Sequence, residues 1–421
     1  MKTKDKICSI LMKNPGESVS GEKLAEECGV SRAAVWKAVN ALRLDGFEIE
    51  GTTNGGYRLL GNADFISEET IRSDLKEAAV DLQKTRDFSE IGSLPACGDL
   101  FGANGLSGAC ESWKIQVFPE IDSTNSYAKR LLSEAGSLRN ERGELTESGK
   151  LLNNSIYVAE KQTAGRGRLG RTFYSPKKNG VYLSMIYAPA GGIKNPALIT
   201  AFAAVAVKRA IKRLFNLDVQ IKWINDIFFS GKKLCGILAE GITNFETGTI
   251  EAAVIGIGVN VFSDFGDEIP EEQRKIVTSI QECLMEQEGE YEGRRKNVRE
   301  NQRNAAEAGA GAFYEEGAAL SRSKLVSMIV LEFFTIMEQV FGESSESHKT
   351  AAIIQEYREA SFLIGKEIVV HPIAGSMRDC YKAKVLDVDE NASLVVLLAD
   401  GSKRILSSGE VSIGSGFVEA K

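Results

Sequence analysis

Apolar residues recur every three to four positions in some stretches of this chain and alternate in others, and the two periods divide it into helices and strands. Near the start, Ile7, Ile10 and Leu11 share one helical face. Ser20-Gly21-Glu22-Lys23 reads as a cap, with Leu24 and Ala25 on the helix that follows. Cys28-Gly29-Val30 is a tight break and Ser31 caps the next helix. Ala34, Val35, Ala38, Val39 and Leu42 give Arg32–Leu44 an inward stripe. Two short helices across a glycine turn predict a helix-turn-helix. Phe47-Glu48-Ile49-Glu50, the turn Thr53-Asn54-Gly55-Gly56 and Tyr57-Arg58-Leu59 predict a hairpin, the wing of a winged helix.

The middle of the chain reads as strands joined mostly by turns. Strands are expected at Lys114–Phe118, Ile156–Glu160, Val181–Ile186, Val219–Trp223, Leu234–Glu240 and Ile250–Val261. Ser230-Gly231-Lys232 turns Ile227-Phe228-Phe229 back into a hairpin. Helices are expected from the cap Asp122-Ser123-Thr124-Asn125 to Glu134, and from Asn195-Pro196 to Leu214, with proline at the tolerated first position. Glu141–Lys150 reads as a polar loop. Ser323–Val340 is an amphipathic helix, and short alternating runs from Ile364 to Val418 predict a small β-barrel, SH3-like in size. The fold class is therefore α+β: a winged helix, a central mainly antiparallel sheet covered by helices, and a C-terminal barrel. The expected domains are 1–62, 113–360 and 361–421. Residues 63–112 form a linker or insertion containing a capped helix from Ser67 to Ala79, and 286–318, rich in charge, Ala and Gly, form a mobile insertion.

Composition narrows the function classes. The 421 residues carry a net charge of −7, so the chain does not coat nucleic acid through overall charge, although one small basic face remains compatible. No apolar run is long enough to cross a bilayer, and the first residues lack a signal-peptide core. Seven scattered cysteines suit a reducing, cytoplasmic setting. The two histidines, His348 and His371, lie far apart, which argues against a His-based zinc site and a Ser-His-Asp triad. On the second helix of the winged unit, Ser31, Arg32 and Lys37, with Arg43, form a basic side. That side predicts major-groove contact, while a winged helix used only for packing would carry the same fold.

The densest chemistry lies in Gly165-Arg166-Gly167-Arg168-Leu169-Gly170-Arg171. Three guanidinium groups on a glycine-rich loop can grip phosphate or carboxylate bidentately, and a solvated basic turn or a nucleic-acid-binding patch would also carry them. Around the loop stand Asp122-Ser123-Thr124-Asn125, Gln162-Thr163-Ala164, Lys222-Trp223-Ile224-Asn225-Asp226, Lys233-Leu234-Cys235-Gly236-Ile237-Leu238-Ala239-Glu240 and Gly256-Ile257-Gly258-Val259-Asn260. In order and spacing these motifs resemble the biotin–protein ligases. With the winged helix in front and Ser408-Gly409-Glu410-Val411 behind, the chain resembles the bifunctional form that is also a biotin-operon repressor. Ile224 stands where that family usually has proline.

The resemblance implies a class II aminoacyl-tRNA-synthetase-like ligase domain and a two-step reaction. Biotin's carboxylate attacks the α-phosphate of ATP, with Mg²⁺, giving biotinyl-5′-AMP and pyrophosphate. A lysine of a biotin carboxyl carrier protein, or of a carboxylase's carrier domain, then displaces AMP. It implies that Ser123, Thr124 and Asn125 meet the ureido ring and that Gln162 meets the carbonyl region. Arg166, Gly167 and Arg168 would cover the adenylate with a loop that is mobile when empty, and Arg171 would face the triphosphate. Lys233 and Lys222 would meet carboxylate and phosphate, and Gly236 would let backbone approach the ligand. Lys233, Arg166 and Arg168 would be catalytic. Asp226 would bind Mg²⁺ or orient a lysine, and Trp223 would wall biotin or pack the core. The adenylate would double as corepressor of operator DNA through a ligand-promoted homodimer. A lipoate–protein ligase, or a non-enzymatic ligand-sensing transcription factor, are the competing readings.

Overall fold

The expected cap residues set the limits of the N-terminal helices. Ser20 Oγ accepts from the Lys23 N–H at 3.1 Å, and Gly29 ends the helix at φ 68°. Helices α1 (Thr3–Lys13), α2 (Gly21–Cys28) and α3 (Arg32–Leu44) enclose Ile7, Leu24, Val35, Val39 and Leu42, a core separate from the rest of the chain. Strands β1 (Ser18–Val19), β2 (Ile49–Thr52) and β3 (Gly56–Leu59) form the wing in the order β1-β3-β2. Gly56 is required there, because at φ 80° a Cβ would sit 2.4 Å from the Val19 carbonyl oxygen.

The computed structural model describes residues 3–86, 105–289, 320–371 and 380–413, with short breaks at 15, 45–46, 48, 53–54, 61–63, 65, 190, 194, 245–247, 266–268 and 343–346. The wing turn at 53–54 and the expected insertion from 290 to 318 lie outside the described residues.

The central sheet holds β4 (Ile115–Phe118), β5 (Ile156–Ala159), β6 (Gly180–Tyr187), β7 (Gln220–Lys222), β8 (Asp226–Phe229), β9 (Lys232–Thr243) and β10 (Ile250–Asn260). Their order is β4-β5-β6-β10-β9-β8-β7, antiparallel except for β4–β5. Alternation sorts the strand residues by face. Val181, Leu183, Met185, Ile255, Ile257 and Val259 join the main core under the helices Pro196–Phe215 and Arg322–Phe341. Tyr157, Ile186 and Val254 point the other way, against Ala128 and Leu132 of the helix Thr124–Ala135. Beyond that helix the second face is left open as a cavity.

Three segments differ from expectation. The linker 63–112 enters the core: α4 (Glu68–Arg86) starts where the capped helix was expected and runs past Ala79, and a helix at Gly105–Ser112 stands where a loop was expected, and the two bury Ile71, Leu75, Leu106 and Cys110 in the main core. The second helix lies in a stretch with little periodicity, and tertiary packing rather than propensity makes it helical. The expected loop at 141–150 contains the helix Glu147–Leu152, capped by Thr146 Oγ1, which accepts from the Gly149 N–H at 3.1 Å. The pattern also misses the helix Ser347–Ala360, which follows directly on a longer one.

One buried charge cluster ties the linker to the sheet. Arg322 has a side chain only 1% exposed; its Nε donates to Asp64, and its terminal nitrogens donate to Glu160 at 3.0 and 3.2 Å. Burial works against its charge, but the two carboxylates more than offset this and raise its pKa. The C-terminal strands β11 (Glu367–His371), β12 (Tyr381–Val388), β13 (Leu394–Leu398), β14 (Lys403–Leu406) and β15 (Glu410–Ile413) form an antiparallel sheet, β14-β13-β12-β11-β15. Ile368, Val385 and Leu394 extend the main core into it. No helix among the described residues is long and apolar enough to cross a membrane.

Candidate functional site

The open face of the sheet forms a cavity of about 690 Å³, within the usual range for small-molecule sites of about 300–1,000 Å³. Ser123, Thr124, Asn125, Gln162, Arg166, Gly167, Arg168, Lys222, Lys233 and Gly236 all line it, with Arg171 and Asp226. Residues spread over more than a hundred positions thus converge. Each sits where backbone ends or turns: a helix N-terminus, the loop after β5, the β7–β8 junction, and the facing glycines of β9 and β10.

A polar chain runs along the cavity floor. Gln162 Oε1 accepts from the Thr124 N–H at 2.9 Å, and its Nε2 donates to Ser175 Oγ at 2.9 Å. Buried Ser184 donates to Asn125 Oδ1 at 2.6 Å and lies 2.7 Å from Thr124 Oγ1. Asn125 Nδ2 donates to the Leu238 carbonyl at 3.2 Å and to Glu240 Oε2 at 3.1 Å. These bonds fix both amide orientations and leave little rotational freedom. Ser123 Oγ accepts weakly from the Ser126 N–H at 3.4 Å, so it caps its helix as well as facing the cavity.

The cations above the floor are held by partners. Lys233 Nζ lies 2.7 Å from Asp226 Oδ1, which also accepts from Asn225 Nδ2 at 3.1 Å. Arg168 donates to Asn225 Oδ1 at 2.9 Å and to the Gly409 carbonyl at 3.1 Å, reaching from the loop to the C-terminal sheet. Arg166 lies 3.4 Å from Glu240, which also binds Lys129 at 2.9 Å. Burial would raise the Glu240 pKa, but the bonds from Lys129 and Asn125 and the charge of Arg166 bring it below its ordinary value. The arginine loop itself folds back, with the Gly167 N–H donating to the Arg171 carbonyl at 2.7 Å.

Glycines make room for these side chains. A Cβ on Gly256 would meet Asn125 Oδ1 at 2.2 Å, one on Gly258 the Phe173 ring at 2.4 Å, and one on Gly236 Lys233 Nζ at 3.2 Å. No motif in the sequence points to Phe173 or Ser184, and Glu240 closes a motif that gives it no role. The alternate glycines Gly256 and Gly258 were the available signal, since on one face of a strand they invite neighbours close to the backbone.

Of the two readings of Trp223, core packing holds: it does not line the cavity, and its buried Nε1 donates to the Ala392 carbonyl at 2.8 Å, docking the C-terminal sheet. Among the described residues no group of three His, Cys, Asp or Glu side chains could hold a metal ion. On α3, Ser31 Oγ accepts from the Ala34 N–H at 3.2 Å, and Ser31, Arg32 and Lys37 are exposed. Arg32 pairs with Glu22 at 2.8 Å. Arg43 instead donates to the Ile49 carbonyl at 2.9 Å and fastens the helix to the wing. Trp36, 57% exposed between Arg32 and Lys37, is a surface aromatic that a stripe analysis passes over.

A cation-lined cavity on an antiparallel sheet, carried behind a winged helix, defines an anion-handling enzyme domain joined to a DNA-binding unit. The sequence profile of the Biotin/lipoate A/B protein ligase family matches residues 141–260, and that of an HTH domain matches residues 3–58. The Bifunctional ligase/repressor BirA of Bacillus subtilis (strain 168) is 32% identical over 270 residues, 64% of this chain and 68% of that protein. The protein of the same name from Escherichia coli (strain K12) is 29% identical over 246 residues, 58% of this chain and 60% of that one. A solved structure, the biotin protein ligase from Aquifex aeolicus in complex with biotin and ATP, has 20% identity and a TM-score of 0.48, covering 71% of this chain and 97% of that one. The chain belongs to the family of bifunctional biotin–protein ligases and biotin-operon repressors.

Proposed function

We propose that this protein joins biotin to ATP in the cavity, transfers the biotinyl group to a carrier-domain lysine, and represses transcription through its winged helix. The reaction is biotin–protein ligation, driven by cleavage of ATP to AMP and pyrophosphate. The observation that carries the mechanism is the contact of Lys233 with Asp226 in the wall of a cavity that Arg166 and Arg168 also line. Biotin's carboxylate and the α-phosphate repel each other. A carboxylate oxygen forms the new bond to phosphorus while the bond to the pyrophosphate oxygen breaks. Lys233 stabilises the charge concentrated between them, and Asp226 orients its ammonium; a positioned cation in a half-closed cavity acts without reorganisation. Arg166 and Arg168 hold the phosphate and retain the adenylate until the acceptor amine attacks the carbonyl carbon and AMP leaves. Thr124, Asn125 and Gln162 answer the donors and acceptors of the ureido and carbonyl groups, with Ser123 and Gly236 shaping the wall and Lys222 at the phosphate end.

Magnesium would be held chiefly by the phosphates, as this small cation usually is. Asp226, engaged by Lys233, suits orientation better than ligation. Biotinyl-5′-AMP would act as corepressor by promoting a homodimer that sets two winged helices on operator DNA, with Ser31, Arg32 and Lys37 toward it. The acceptor is a biotin carboxyl carrier protein or carrier domain. Residues 1–62 are the DNA-binding unit, 113–360 the ligase domain, and 361–421 an SH3-like barrel. The free cysteines among the described residues suit a cytoplasmic location.

Incubation with ATP, Mg²⁺ and biotin, followed by mass analysis of bound nucleotide, tests the activity: biotinyl-AMP is expected, and its absence defeats it. The matched profile also spans lipoate ligases, so pyrophosphate exchange stimulated by lipoate and not by biotin would select that reading instead.

A further inference from the structure

Five of the six described cysteines are buried, and the sixth is different. Cys380 is only partly buried, at the start of β12. Its Sγ lies 3.2 Å from His371 Nδ1 at the end of β11, and His371 Nε2 lies 2.9 Å from Ser412 Oγ on β15. None of the three lines the ligand cavity. The geometry is that of a nucleophile, a base and a group that orients the base. In the tautomer that donates Nε2–H to Ser412 Oγ, Nδ1 carries the lone pair and faces the thiol.

We propose that Cys380, His371 and Ser412 form a reactive-thiol site on the C-terminal sheet, open to thiol–disulfide exchange with low-molecular-weight disulfides. The thiol proton passes to His371 Nδ1. The thiolate sulfur then bonds to one sulfur of the disulfide, the disulfide bond breaks, and the departing thiolate takes the proton from the imidazolium. One mixed disulfide and one small thiol result, with no other oxidant or reductant.

The other thiols among the described residues sharpen the contrast. Burial pushes Cys110 and Cys283 up to about 12 and raises Cys28 and Cys235, so each is held as the unreactive thiol. The backbone of His371 pairs with Glu410, next to the Gly409 carbonyl that accepts from Arg168. An adduct at Cys380 would therefore stand beside the contact between the C-terminal sheet and the arginine loop.

The test is time-resolved modification of the full chain by an aromatic disulfide, with the modified cysteine located by peptide mass mapping. Cys380 is expected to react at least about tenfold faster than Cys8, Cys28, Cys110, Cys235 or Cys283, and His371→Gln, which keeps a bond to Ser412 but removes the base, is expected to slow it about tenfold or more. Cys380→Ser should abolish the fast adduct. A merely structural role for His371 would move the melting temperature and not the rate, so both are read. Equal rates among these cysteines, or an unchanged rate in a folded His371→Gln variant, would overturn the proposal. Because the readout needs neither biotin nor ATP, its failure would leave the ligase reading intact.

Discussion

The cavity and helix α3 both present positive side chains, yet they hold them in opposite ways. In the cavity, Lys233, Arg166 and Arg168 are each tied to a carboxylate, amide or carbonyl, and Asp226 and Glu240 are mostly buried. On α3, Arg32 is 69% exposed, and its carboxylate neighbour Glu22 is 77% exposed. Fixed charges partly out of water interact strongly and are already aimed when a reaction begins. Exposed charges are screened and cheap to rearrange, which suits a surface that must meet and leave a polyanion. The same residue types are thus set up to suit chemistry in one region and reversible adhesion in the other.

Substitutions can break this contrast, and the largest effect is expected where charge is most buried. Arg322→Ala leaves Asp64 and Glu160 without their partner and should cost about 3–5 kcal/mol in denaturant unfolding, whereas a loss under 1 kcal/mol would mean that the cluster is well solvated. Lys233→Ala should slow adenylate formation about 100- to 1,000-fold in single-turnover assays with an unchanged far-ultraviolet spectrum; wild-type rates would remove Lys233 from the chemistry. Arg168→Gly loses charged hydrogen bonds worth about 1.5–3 kcal/mol, so adenylate should dissociate on the order of ten- to a hundredfold faster and label nearby lysines indiscriminately. Equal retention by mutant and wild type would show that the loop holds its ligand by other groups.

The pH response sharpens the same comparison. The Glu240 pKa lies below its ordinary value of 4.5 in the folded state. Its ties to Lys129 and Arg166 therefore contribute stability that is fully present above the unfolded value and lost as pH falls through the lowered folded one. Melting temperature should fall in that acid window, and Glu240→Gln should flatten the fall. A variant profile parallel to wild type would deny Glu240 this part. The smallest effect is expected on the surface: Arg32→Ala should weaken operator binding several-fold and lower the salt slope by about 0.9, leaving ligation untouched. An unchanged slope would mean that Arg32 meets no phosphate.

Much of this was legible in the chain. The cavity's charged residues sit in glycine-flanked motifs, because sharp turns and close approach need glycine wherever they occur, and the winged helix follows from caps and a stripe that are local signals. The capped helix from Ser67 was legible, but the helix at Gly105–Ser112 was not. Leu106 and Cys110 stand in a stretch rich in Gly, Ala and Ser with little periodicity, and only the core they enter makes it helical. Ser184 looked like any strand serine until the register placed it beside Asn125 and Thr124.

By itself, then, the sequence determined which residues are polar, charged or glycine and where the local turns and caps fall, because those depend on neighbours a few positions away. Tertiary structure alone decided that Glu240 holds Arg166, that Phe173 fills the space beside Gly258, that Trp223 fastens the C-terminal sheet, and that Cys380 meets His371. Each of these joins strands or loops whose approach is set by sheet order and by what the core excludes from water, and neither quantity is written in any short window of the chain.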